Sequence, residues 1–591
     1  MSVAAIDPVA LVALAQEAAS IEGILLDLLP IAIIAAGVGI FVAKVGRFPY
    51  TVALLLAGFA VSVVGATTRA VDIDIALSHD LILLVLLPPL LFEGAATTDL
   101  ERLRRNLVPV LALAVVGLVA SVVVLGVAGA ELFGFPLLVA LLFAAMILPT
   151  DPVSVLALFK ELGAPDRLAV LVEGESLIND GVGVVLFSAL LSLVVRGADP
   201  TRLFTVEGVA RVAFDLVAVS LGGLLVGLLT GYAVYSVMVN LDERMTETVL
   251  TLILAYGSFL LAEHYLHVSG VIATVVAGLF IGNRGAEYAM SPQTKISVFS
   301  SLETVAFLVN TFVFLMIGVV TPVEQLLSHV ELIALAVPAV LLARALAVYP
   351  IATALNRFVE QTIPRSYQHV MLWGGLHASI PIALVLGLPR SLADGTPFPY
   401  REELRAMVFG VAAFSLVVQG MTMSSLLQRL GIVTRSEVEE LYELLVGRRR
   451  AVEEALSAAE RLEGRGNLPR EVYRDFTDEY ERELDDLRTA IATLLADNPE
   501  LRRERLLVGE RQLLQREKSA VMDAVRSGVV TDDVGRQLLD EVDLKLDQLR
   551  SGETTVERGE EGYTEFWRSR AAEFGLDVEL EKDGDAGTPH D

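Results

Sequence analysis

Gly174-Glu175-Ser176-Leu177-Ile178-Asn179-Asp180-Gly181-Val182-Gly183-Val184 lies inside one apolar segment, with AVLV ahead of it and VLFSALLSLVV behind. Two carboxylates and a carboxamide therefore stand where lipid or tightly packed apolar helices are expected. A charge at the centre of a bilayer costs roughly 2.5–3.5 kcal/mol on insertion scales, so it rarely persists without a task. The usual tasks are an ion pathway, a proton relay or a structural ion pair.

Working outward, the same kind of segment recurs along most of the chain. The protein has 591 residues, 54% of them hydrophobic, and a mean hydropathy of +0.61. No soluble core buries so many runs of spanning length, and the pattern predicts a polytopic all-α membrane protein. About thirteen spans are read: 24–43, 49–66, 80–95, 107–128, 136–160, 167–195, 208–238, 246–264, 268–282, 297–320, 331–355, 364–388 and 404–429. The domain reading is an N-terminal segment 1–23, a transmembrane domain 24–430, a soluble helical domain 431–580 and a disordered acidic tail 581–591. Residues 1–22 carry no basic residue, which argues against a cleaved signal peptide.

An odd number of spans puts the two ends of the chain on opposite sides. With the hydrophilic C-terminal domain in the cytosol, cytosolic loops hold the larger share of Lys and Arg, among them Lys44, Arg102, Arg105, Lys160 and Arg167. That bias favours this orientation. There are no cysteines, so disulfides and thiolate chemistry are excluded. The net charge of −27 argues against nucleic acid as a partner, and it would suit a salty cytoplasm in which repulsion is screened. After Arg435, leucines recur at helical spacing among charges over 436–463, 471–495, 500–526 and 533–549.

The chain also echoes itself. TVALLLAGFAVSVVG (51–65) is like VIATVVAGLFIGNRG (271–285), and LVLLPPLLFEGAATT (84–98) is like FLVNTFVFLMIGVVT (307–321). Both pairs are seven spans apart, which joins helices of opposite orientation and predicts two inverted six-helix repeats joined by a linker helix.

On a helix of 100° per residue, Glu175 and Asn179 share one face, and Ser176 and Asp180 share a neighbouring one. The second face offers a carboxylate and a hydroxyl, both suited to an alkali cation. The first is suited to holding a charged partner, and Arg344, deep inside its own span, is the candidate. Leu148-Pro149-Thr150-Asp151-Pro152 interrupts the fifth span and places Thr150 and Asp151 in the break. Trp373-Gly374-Gly375-Leu376-His377-Ala378-Ser379-Ile380-Pro381 interrupts the twelfth, seven spans later, and its His377 could sense pH near neutrality. Pro88-Pro89 is expected to break the third span, leaving Glu93 at its end, either guarding a mouth or snorkelling to the interface. No nucleophile–histidine pair or metal cluster suggests an enzyme or a bound cofactor.

The runs GRFPYTVALLLAGF, LLPPLLFEGA, LPTDPVSVLALFKELGAP and LVEGESLINDGVGVVLF resemble the NhaP/NHE-type sodium–proton antiporters, in the same order over about residues 24–430. The resemblance implies a thirteen-helix antiporter of the cell membrane, embedded in lipid. A moving core would work against a scaffold that forms a homodimer. It implies that Asp180 is the exchanging carboxylate, that Thr150, Asp151 and Ser176 line the Na+ site, and that Glu175 and Arg344 form a structural pair. It puts Glu93 near a cytoplasmic funnel. Because Asn179 and not a second Asp precedes Asp180, it implies electroneutral exchange of Na+, and also Li+, for H+. K+/H+ exchange and, less so, a cation channel are the alternatives. One departure stands out: many relatives have arginine in a GGLRGA element that here reads GGLHAS, with His377.

Overall fold

The computed structural model describes residues 29–44, 49–68, 77–151, 153–197, 205–241, 243–359, 361–392, 395–432, 437–464, 470–526 and 528–550. It divides into two units, Met1–Thr434 and Arg435–Asp591. The described residues are almost entirely helical, and a lone bridge between Ser391 and Pro397 is their only β pairing. Helices are the expected answer to a solvent that cannot hydrogen-bond the backbone.

Among the described residues of the first unit, seven helices are long and apolar enough to cross a membrane, among them Leu107–Phe133, Asp166–Val195 and Val330–Leu355. Shorter apolar helices, such as Leu29–Lys44 and Leu137–Ile147, lie among them. Over the described residues, every expected span coincides with one helix or with two half-helices; residues 24–28 of the first span, the N-terminal segment 1–23 and the tail 581–591 lie outside the described residues. The fifth is Leu137–Ile147, a break, then Val153–Leu162. The twelfth is Arg365–Trp373, a break, then Ser379–Leu386. Leu138–Ile147 and Ser379–Val385 are buried on every side, which explains why neither has a polar face. The two interruptions therefore sit inside protein, where irregular backbone at membrane depth is tolerated.

The third span corrects the sequence reading. Leu81–Thr97 is continuous, not broken at Pro88-Pro89. A wide π-helical stretch, Leu81–Leu86, runs into the two prolines at the start of Leu87–Thr97. Pro89 offers no N–H to the carbonyl four residues earlier. That carbonyl, Val85 O, instead accepts a bond from the Tyr256 hydroxyl at 3.0 Å.

The inverted repeat shows in the packing. A Cβ on Gly58 would lie 2.1 Å from Leu315 O and 3.0 Å from Gly318 Cα. A Cβ on Gly278 would lie 2.8 Å from Phe92 O and 2.9 Å from Ala95 Cβ. Under the sequence echo, Gly58 maps to Gly278, Leu315 to Phe92 and Gly318 to Ala95. The two close helix contacts are thus the same contact made twice. Small residues at such crossings let backbones touch where lipid gives no hydrophobic drive to associate.

Among its described residues the second unit has four helices, Glu437–Gly464, Arg470–Asp497, Pro499–Arg526 and Asp532–Arg550. Val452, Leu484 and Leu487 close one apolar cluster, and Leu514, Val542 and Leu549 close another. Arg448 holds Glu483 with two bonds, of 2.6 and 2.9 Å, and keeps its carboxyl below the usual carboxylate range. Lys518 reaches Asp543 at 2.8 Å.

Candidate functional site

The opening segment lies in the 30-residue helix Asp166–Val195. At 1.5 Å per residue such a helix is roughly 45 Å long, enough to cross a membrane. Pro149 comes up against its Gly183: a Cβ there would meet Pro149 Cγ at 2.4 Å. The helix and the first interruption are thereby held in contact.

The interruptions cross and bond to each other. Asp151 N donates to Leu376 O at 2.7 Å, and His377 Nδ1 lies 3.1 Å from Pro149 O. Ser379 Oγ donates to Asp151 Oδ2 at 3.0 Å. The other oxygen of Asp151, Oδ1, accepts from Val153 N at 3.0 Å. One carboxylate thus receives bonds from the first residues of two half-helices, Val153–Leu162 and Ser379–Leu386. Such N-terminal ends carry unsatisfied donors and a partial positive charge, so an anion is stable there.

Thr150, Ser176 and Asn179 form a buried polar cluster. Thr150 Oγ1 and Ser176 Oγ are 3.0 Å apart, and Asn179 Nδ2 donates to Thr150 Oγ1 at 2.9 Å. Here the helical-face reading needs correction. Asn179 borders a cavity of about 10 Å³ with Ser121, Glu175 and Arg344, yet its amide serves Thr150 rather than Arg344. The reason lies in the break. Thr150 N has no helical acceptor, a buried N–H needs one, and Asn179 Oδ1 lies 3.4 Å away.

Glu175 meets Arg344, with Nη2 2.9 Å from Oε1, and the same nitrogen lies 3.0 Å from Met371 O. Both side chains are almost fully buried. The guanidinium fits because residue 375 is glycine: a Cβ there would stand 2.3 Å from Arg344 Nε.

Asp180 differs from all of these. It is buried, and its Oδ1 has no hydrogen-bond partner among the described residues. Asp151 is the charged group that bears on it most directly. The site therefore sets one unpaired carboxylate beside a second, fully capped one and two hydroxyls.

Glu93 is half-buried in Leu81–Thr97, within electrostatic reach of Lys160, Glu173 and Glu303. Glu173 lies near Thr98, whose hydroxyl donates to Gly94 O at 2.8 Å. Glu173, near Glu93, and Ser379, bonded to Asp151, are residues to which the sequence reading gave no role. Glu173 was visible as a further acid of the same helix, two residues before Glu175. Ser379 gave no signal, since its partner lies 228 residues away.

Crossed half-helices with an unpaired carboxylate beside them, set in an inverted repeat, define a secondary transporter rather than an enzyme. The chain belongs to the sodium/hydrogen exchanger family, whose transmembrane model matches residues 31–429. It is similar to the Na(+)/H(+) antiporter ApNhaP of Aphanothece halophytica, 38% identical over 70% of this chain and 75% of that one. It is also similar to the Na(+)/H(+) antiporter NhaG of Bacillus atrophaeus, 34% identical over 87% of this chain and 96% of that one. Those 520 aligned residues exceed the first unit, so the likeness to NhaG reaches into the second. The fold matches the solved sodium proton antiporter MjNhaP1 of Methanocaldococcus jannaschii. There the TM-score is 0.56 at 19% identity, covering 69% of this chain and 99% of that one.

Proposed function

We propose that this protein is a secondary antiporter that exchanges Na+, and also Li+, for H+ across the cell membrane. The observation that carries the reading is the buried Asp180 with an oxygen that has no hydrogen-bond partner among the described residues. A buried polar atom left unpaired is costly and calls for an explanation, which a transported ion supplies. The names of the relatives point the same way.

A carboxylate holds a proton or a cation, not both, so competition at Asp180 couples the two fluxes. Asp151, Ser176 and Thr150 supply further oxygen ligands of the kind an alkali cation takes. Loaded with either ion, the carboxylate is neutralised and crosses; unloaded, it is a bare charge and stays, which prevents leak. Glu175 and Arg344 cancel each other, Asn179 is uncharged, and Asp151 is held by two half-helix ends. One titrating carboxylate then remains, which makes the exchange one cation for one proton and electroneutral. The second unit lies in the cytosol and regulates, and the protein works as a homodimer in which a core moves against a scaffold. Glu93, with Glu173, lines the cytosolic approach.

The test is proton movement in proteoliposomes driven by Na+, Li+ or K+ at several pH values. Na+ and Li+ should drive saturable exchange with no single-channel current. Exchange driven by K+ alone would move the assignment to K+/H+ antiport, and unitary currents would make the protein a channel.

A further inference from the structure

His377 is a polar group at the crossing that the exchange chemistry leaves unused. It is 1% exposed. Its Nδ1 lies 3.1 Å from Pro149 O, just beyond the C-terminal end of the half-helix Leu137–Ile147. Its backbone is held twice by one hydroxyl. Ser415 Oγ accepts from His377 N at 3.0 Å and lies 3.1 Å from His377 O. Ser415 belongs to the span Arg401–Arg429, so the histidine is anchored to a third element before its ring reaches across.

The contacts fix the form of the ring. A carbonyl can only accept, so Nδ1 carries the hydrogen. Nε2 is buried and has no hydrogen-bond partner among the described residues. A second proton there would be a buried donor with no partner at hydrogen-bond geometry among the described residues, although the Ile147 carbonyl also lies near the ring, and it would make the ring a buried cation. The surrounding charges do not favour that cation. Arg344, from Val330–Leu355, already stands against Gly375, two residues away in the chain. Its carboxylate partner Glu175 is committed to it. Asp151, on the facing break, takes its bonds from Val153 and Ser379 rather than from the ring. Asp180, on the helix beside the break, is the remaining acid, and the exchange reading gives it to the transported ions.

We propose that His377 is a positioning residue: a permanently neutral imidazole whose Nδ1–H pins the Pro149 carbonyl. In doing so it fixes the Thr150-Asp151 turn against Asp180. The proposal rests on the exchange reading of that site. The bond also satisfies a carbonyl that the broken helix leaves open, at the end where its dipole is negative. A neutral ring makes this bond without adding a charge beside Arg344.

The test compares His377→Asn with His377→Leu in the full-length protein in proteoliposomes. Asparagine can present an amide N–H where Nδ1–H was, and leucine cannot. His377→Leu should raise the KM for Na+ and slow exchange about tenfold, the order of one buried hydrogen bond. His377→Asn should recover most of that loss, and its pH profile should keep the native midpoint. In parallel, 15N NMR of histidine-labelled protein, with the His377 signal assigned by its loss in His377→Asn, reads the ring directly. A neutral Nδ1–H ring across about pH 6 to 9 is expected, against an ordinary histidine midpoint of about 6.5. A ring that charges in that range, or a shifted midpoint in His377→Asn, makes His377 a pH sensor and overturns the proposal. Native kinetics in His377→Leu also overturns it. Should His377→Leu fail to fold, the NMR signal and the asparagine pH profile decide. If the native protein moves no protons with Na+, the exchange reading fails, while the NMR signal still judges the tautomer.

Discussion

Arg344 Nη2 lies 2.9 Å from Glu175 Oε1 and 3.0 Å from Met371 O, so a single nitrogen ties three elements together. The helix carrying Asp180 is joined to Val330–Leu355 and to the last turn of the half-helix Arg365–Trp373. Met371 O is one of the carbonyls that a helix end leaves open, and a cation is favoured there. The pair is part of what holds the crossing together.

Removing one member of such a pair strands the other. The cost is about 3–5 kcal/mol, most of it from leaving an uncompensated buried charge. Arg344→Ala should therefore sharply reduce the amount of folded protein in the membrane and lower its thermal midpoint in detergent. The double variant Glu175→Leu/Arg344→Leu should lose clearly less than the sum of its two single changes. Strict additivity would mean that the two side chains do not act as a pair.

The repeat-related glycines give a matched pair of stability tests. Gly58→Ala and Gly278→Ala each put a methyl against a facing backbone, at 2.1 Å from Leu315 O and 2.8 Å from Phe92 O. Both should destabilise by a few kcal/mol, through overpacking that forces the helices apart, with Gly58→Ala the worse. Gly257→Ala meets nothing within 4 Å and should be neutral or mildly stabilising, as alanine is the better helix former. Equal melting temperatures for all three would remove the close-contact account of the repeat.

The helices were legible in the sequence because a bilayer admits little else, and apolar length alone locates them. The two interruptions were legible because Pro149 and Pro152, and the Gly374-Gly375 pair, spoil the helical ladder locally. What was not legible depended on partners brought in by tertiary packing. Pro88-Pro89 looks like another break, but a π-helical stretch and the Tyr256 hydroxyl absorb the missing bond. Asn179 shares a helical face with Glu175, so its side was readable. Its partner was not, because Thr150 N became an orphan only once the facing chain had broken there. The bond from Ser379 to Asp151 joins the two halves of the repeat and leaves no local trace.

Charge counting at the crossing leads to a voltage prediction. If Asp180 alone changes its load, clamping the membrane potential with valinomycin and K+ should leave the Na+-driven rate unchanged. Replacing Asn179 with Asp adds a second carboxylate beside it and should introduce voltage dependence if the variant still transports. A strong dependence in the native protein would contradict electroneutral exchange.

The second unit has its own apolar clusters and ion pairs. Deleting residues 436–591 should leave exchange active with a shifted pH or Na+ dependence, read by the same proteoliposome assay. An unaltered profile would reduce the unit to an appendage without influence on transport.

The most direct test of the account is Asp180→Asn, which removes the charge and keeps the shape. In proteoliposomes of equal protein content, Na+-driven proton movement should fall to the empty-liposome background at every pH, while the thermal midpoint in detergent holds or rises. Exchange by Asp180→Asn at the native rate would show that the unpaired carboxylate is not where cation and proton compete.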